Sequence, residues 1–135
     1  MSEANSVTVG RWAALVLLAV VLGGCGGGVT DPAPTDPKQA ATALQACLEK
    51  WKSGSTIEAL QKETPVVYAA DEDWQAGIKL VAFELRDVLG QEAGSTRIPV
   101  RLHVQSPNGL WWKEVEYNVT VREKVVSVLR QDAPN

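Results

Sequence analysis

The residues in this 135-residue chain that could do chemistry are one histidine, two cysteines and a run of three acids. His103, the only histidine, would act as a base if a carboxylate held its ring. The strand register derived below sets it opposite Glu114 on a polar sheet face, where a plain surface pair is the simpler reading. Asp71, Glu72 and Asp73 precede Trp74 and could gather round a calcium ion, whose oxygen ligands converge from a turn. The liganding Glu of an EF-hand is absent, so the run reads as a solvated turn. Cys25, Cys47 and His103 are too few for a closed zinc site. The three consecutive glycines, Gly26 to Gly28, follow no strand and so make no phosphate loop. The chain therefore presents no catalytic set, no metal site and no cofactor site, and it reads as a binding protein rather than an enzyme.

The aromatic residues are the better leads. Of five tryptophans, Trp12 lies in the apolar opening segment and Trp51 on a helical stripe. Trp111 and Trp112 are adjacent on a strand, so their side chains point to opposite faces. One is expected in the core and the other, Trp112, on the polar face near Glu114 and Glu116. An exposed tryptophan on a sheet suits a protein partner or a stacked sugar. Trp74, Trp112, Asp71, Asp73 and Tyr117 are the expected binding residues. An alternative is a small-ligand or catalytic pocket between helix and sheet, lined by Tyr68, Asp73, Trp74 and Tyr117.

The first 25 residues carry an address. Trp12 to Leu22 is an unbroken apolar run of 11 residues. As a helix it would span about 16 Å, half of a bilayer's hydrocarbon core. It fits the apolar region of a secretory signal, preceded by Arg11 and the free amine and weakened by Glu3. Leu22-Gly23-Gly24-Cys25 then resembles the lipobox of bacterial lipoproteins: a Leu, two small residues and a Cys. That resemblance implies cleavage between Gly24 and Cys25, acylation of the Cys25 thiol and amine, and a lipid anchor in the cell membrane or outer membrane. The domain would then stand outside the cytoplasm, with an envelope protein or cell-wall component as its partner. A disulfide between Cys25 and Cys47 competes with this reading, since it needs an unlipidated Cys25.

Three divisions follow: a signal over 1–24, a lipidated Cys and flexible tether over 25–37, and a folded domain over 38–135. The tether has three glycines and three prolines between Gly26 and Pro37, too little apolar surface to repay ordering. It would reach roughly 20 Å as a coil. Asp36, Pro37 and Gln39 form a helix start, and Ala40, Ala41, Leu44, Cys47, Leu48 and Trp51 recur at helical spacing. Lys50, Lys52 and Gly54 close that helix. Ser55 and Glu58 open a short one running to about Lys62. A brief extended stretch follows at Val66 to Tyr68, then a turn at Asp71 to Gly77 and a strand within Ile78 to Val88.

Ile98, Val100, Leu102 and Val104 alternate with polar residues, as do Val115, Tyr117, Val119 and Val121 on the return, which marks a half-buried hairpin. Centred on Asn108-Gly109, it pairs Leu102 with Val115, Val100 with Tyr117, Arg101 with Glu116 and His103 with Glu114. Pro107 suggests a four-residue loop, and Pro99 a bulge or edge position. Lys124 to Arg130 is a last strand. The expected architecture is α+β: a long and a short helix packed on a curved antiparallel sheet of about four strands. This order resembles the cystatin-like and NTF2-like folds, in which a curved sheet wraps a helix, and small envelope lipoproteins with a lipobox and Pro-rich spacer. The cystatin resemblance implies protease inhibition, but that family's Gln-x-Val-x-Gly loop is missing. Charged residues are 21% of the chain with a net charge of −3, so clustered Lys and Arg for a nucleic-acid partner are missing as well.

Overall fold

A computed structural model describes residues 33–131; the signal, Gly24, Cys25 and most of the tether lie outside the described residues. The order is α1 (Pro37–Lys52), α2 (Ile57–Leu60), β1 (Val66–Ala70), α3 (Glu72–Gln75), β2 (Lys79–Leu85), β3 (Gly90–Glu92), β4 (Ser95–Ser106), β5 (Gly109–Val121) and β6 (Val125–Gln131). The class is α+β as expected, but the sheet has six strands rather than four and is mixed rather than antiparallel. It runs β1-β6-β5-β4-β2, with β3 beside β4 where β2 leaves off. The strands curl into a half-barrel. β1 lies parallel to β6, a pairing that needs a long excursion of chain between them.

Helix α1 forms for the reasons its sequence suggests. The Asp36 carboxylate accepts the Lys38 N–H, Pro37 takes a position whose N–H has no helical partner, and Lys50 and Lys52 stand in the last turn. Ala40, Leu44, Cys47, Leu48 and Trp51 are its buried face. They meet Ile98, Val100, Leu102, Val104, Val115, Tyr117, Val119, Val126 and Val128 from the concave side of the sheet. The short helix α2 is capped by Thr56, not Ser55, whose Oγ1 accepts the Ala59 N–H.

The central hairpin keeps its expected faces but shifts its partners by two residues. Val100 faces Val115, Ile98 faces Tyr117, Arg101 faces Glu114 and His103 faces Trp112. The cause is the turn. Ser106 pairs directly with Gly109, so Pro107 and Asn108 alone make the loop, and Gly109 supplies the positive φ of 127° beside it. A shift of two preserves every side chain's face, which is why the apolar alternation survives it. Pro99 sits inside β4 rather than at an edge. Its carbonyl accepts from Arg86 N–H just past the end of β2, so the donor it lacks faces the gap between β2 and β3. The bulge lies instead in β2, between Leu80 and Ala82.

Residues 33–36 belong to the fold, whereas a flexible tether reaching Pro37 would leave them free. Thr35 is buried, its hydroxyl donates to Gly94 O (2.7 Å) and accepts from Val121 N–H (3.2 Å), and its carbonyl accepts from Thr96 Oγ1. Arg122 Nη2 donates to Ala33 O at 2.9 Å. This arm thereby ties the β3–β4 turn to the end of β5.

Candidate functional site

Five polar side chains converge inside the half-barrel. Asp71 follows β1 and caps α3, its Oδ1 accepting the N–H groups of Asp73 (2.9 Å) and Trp74 (3.2 Å). Because β1 pairs with β6, the chain end at Asp71 lies beside Arg130, which shares the inward face of Val126 and Val128. Arg130 Nη1 donates to Asp71 Oδ1 at 2.9 Å and to Asp73 Oδ2. Tyr117, opposite Arg130 on the ladder, donates its hydroxyl to Asp71 Oδ2. Lys113 Nζ donates to Asp73 Oδ2 at 2.8 Å. Two carboxylates thus meet two cations, with the Arg130 side chain only 5% exposed.

The electrostatics follow from that pairing. Burial alone would raise Asp73, but Lys113 and Arg130 outweigh it and hold its carboxyl below the ordinary value. Burial, then the Asp71 charge, pushes the Tyr117 phenol well above its usual value. Burial works against the Arg130 guanidinium, yet its two carboxylates raise it above the ordinary value. Asp73, Tyr117 and Arg130 are each held in one protonation state around neutral pH. Arg130 Nε and Asn118 Oδ1 are buried without a hydrogen-bond partner among the described residues. A cavity of about 200 Å³ borders Asp71, Glu72, Gln75 and Arg130.

The acid run is therefore not a solvated turn. Asp71 and Asp73 turn inward to cations while Glu72 stays exposed. The three do not converge, and no group of three metal-ligating side chains occurs among the described residues. Asp71, Asp73 and Tyr117 are buried structural residues rather than an open binding face. Trp74 is buried too: its ring stacks on Trp51 at 5.4 Å and 7°, and its Nε1 donates to Ser55 O at 3.0 Å. Trp51 Nε1 donates likewise to Ile78 O. Tyr68 lies across the sheet, half exposed, so the expected pocket of Tyr68, Asp73, Trp74 and Tyr117 does not form. Sequence reasoning missed Arg130 and Lys113. Their signal was a cation on the core-facing register of an alternating strand.

Trp112 is on the outer face as expected, 40% exposed. It stacks on His103 at 4.3 Å and 8°, and the Arg101 guanidinium carbon lies 4.4 Å from its ring centre. Glu114 instead approaches Arg86, which removes the His103–Glu114 base dyad. Trp111 is also exposed rather than buried, although its ladder partner Val104 belongs to the core.

Two larger concavities flank α1. One, about 450 Å³, lies at the C-terminal end of the helix beside Trp51, Trp74, Thr56 and Gln75. The other, also about 450 Å³, runs between α1 and β1 because the helix leans towards β2 and β5 and stands off from the β1 edge. Its bed is Ala43, Ala46, Cys47, Leu60, Val67 and Val126. Lys38, Lys50 and Glu63 stand on its rim, the last two paired at 3.3 Å. Burial, followed by the charges of Asp71 and Glu63, pushes the Cys47 thiol up to about 12, so it is an apolar lining group and not a nucleophile.

Comparison of the chain with protein families, curated proteins and solved structures gives no match. No helix among the described residues is long and apolar enough to cross a membrane.

Proposed function

We propose that the chain is a lipid-anchored bacterial envelope protein whose domain binds and does not catalyse. The observation that carries this is Leu22-Gly23-Gly24-Cys25 directly behind an 11-residue apolar run. The signal over 1–24 is removed, Cys25 takes the lipid, and two or three acyl chains retain the protein at a membrane. The buried network supports the non-catalytic part, since its two acids are each engaged by a cation and the phenol by Asp71. The outer face round Trp112, Arg101 and His103 is the surface for an envelope protein or cell-wall partner. The order of two helices, a strand, a helix and a strand meander, with α1 held in a curled sheet, supports the NTF2-like and cystatin-like reading of the fold.

Mass spectrometry of the native protein is the test. The amino terminus is expected at Cys25 with the added mass of its acyl chains, and Cys25→Ser is expected to leave the signal uncleaved. An amino terminus at Met1, or a free thiol at Cys25, refutes the anchor. Cross-linked envelopes are expected to yield a partner that is lost with Trp112→Ala. The α1–β1 groove favours a second reading, in which the domain holds a small apolar ligand between helix and sheet.

A further inference from the structure

We infer that the groove between α1 and β1 holds the hydrocarbon chain of a single-chain amphiphile whose anionic head lies at Lys38. The inference deepens the small-ligand reading and rests on it. A volume of about 450 Å³ lies in the range of small-molecule pockets. The bed between its ends is mainly apolar, with Gln39, Thr42 and Thr64 as its uncharged polar borders, because Ala43 and Ala46 withhold side-chain bulk and Cys47 is kept as a neutral thiol. Lys38 and Lys50 both border the groove and are 12 residues apart on α1, about 18 Å along the helix axis. Its two ends differ in charge. At one end Lys50 is answered by Glu63 at 3.3 Å. At the other, no carboxylate lies within salt-bridge distance of Lys38 among the described residues, and Asp36, the nearest acid in sequence, accepts the backbone N–H of Lys38. A long apolar bed with one unanswered cation is complementary to a fatty carboxylate. Neutral lipids leave that cation unused.

Washed membranes bearing the full chain, incubated with a diazirine-bearing fatty acid, irradiated and digested, test this directly. Labelling is expected in peptides covering residues 38–50 and 60–67. It is expected to fall at least fivefold with Thr42→Trp or Ala46→Trp, which put an indole into the groove from exposed helix positions. The matching fatty alcohol probe is expected to label roughly two- to fivefold less than the acid, the range of an exposed ion pair. Lys38→Glu is expected to abolish that difference. Labelling scattered along the chain and indifferent to both tryptophan variants refutes the small-ligand reading and the inference together. Groove labelling that is equal for acid and alcohol leaves the reading and refutes the anionic head. If the chain is found in the soluble fraction, the anchor fails and the same labelling is read there.

Discussion

Replacing Arg130 by methionine removes the one cation among the described residues that touches both Asp71 and Asp73, at nearly constant length and with no new polar group. The side chain is 5% exposed, and its Nη1 lies 2.9 Å from Asp71 Oδ1. Asp71 would keep the Asp73 and Trp74 N–H groups and the Tyr117 hydroxyl, while Asp73 would keep Lys113. The cluster would pass from balanced charge to one buried negative charge in excess. Breaking a buried pair by removing one partner costs about 3–5 kcal/mol. The donors that remain place Arg130→Met at the lower end, about 3 kcal/mol. For a domain of about 100 residues that lowers Tm by roughly 12–24 °C. Urea and thermal unfolding followed by circular dichroism give both quantities. Adding Asp73→Asn removes the excess charge, so the double variant should recover about 1–2 kcal/mol of the summed single losses. A loss below about 1 kcal/mol, or strict additivity, would refute the view that this network is a mutually dependent structural unit.

Other perturbations have defined outcomes. Because the folded state holds Asp73 below its ordinary value, its contribution is complete above about pH 4 and is lost as pH falls through the folded value. Urea midpoints between pH 5 and 2.5 should therefore fall less steeply in Asp73→Asn, and an unchanged slope would discount the Lys113 and Arg130 pairing. Ala93 sits at φ 50° in the β3–β4 turn, so Ala93→Gly should stabilise by about 1 kcal/mol, read as a rise in urea midpoint. A lower midpoint would contradict strain there. Cys47, buried and pushed up to about 12, should react with iodoacetamide at pH 8 far more slowly in folded Cys25→Ser than in urea. Equal rates would mean that the groove floor is open.

What the chain announces about its own fold depends on the range of the interaction. Helix α1 and the two faces of the β4–β5 hairpin are legible because capping and alternation act within a few residues. Alternation is blind to a slip of two, and only the turn geometry at Pro107–Asn108 fixes that. Strand β3 is illegible: Gly90, Gln91 and Glu92 are all exposed, and the turn after them uses Ala93 where a hairpin would ordinarily advertise Asn. The β1–β6 pairing joins Val66 to Val125, and no local pattern encodes so distant a partner. The same holds for the acids. Asp71 to Asp73 look solvated until β6 brings Arg130 against them.

Thr35 bears on how the domain would endure tension. Its hydroxyl and carbonyl grip Gly94, Thr96 and Val121. A tug arriving along the amino-terminal segment is thus shared out among strands before it reaches the first turn of α1. Were the chain anchored as proposed, the helix that frames the groove would be shielded from that load.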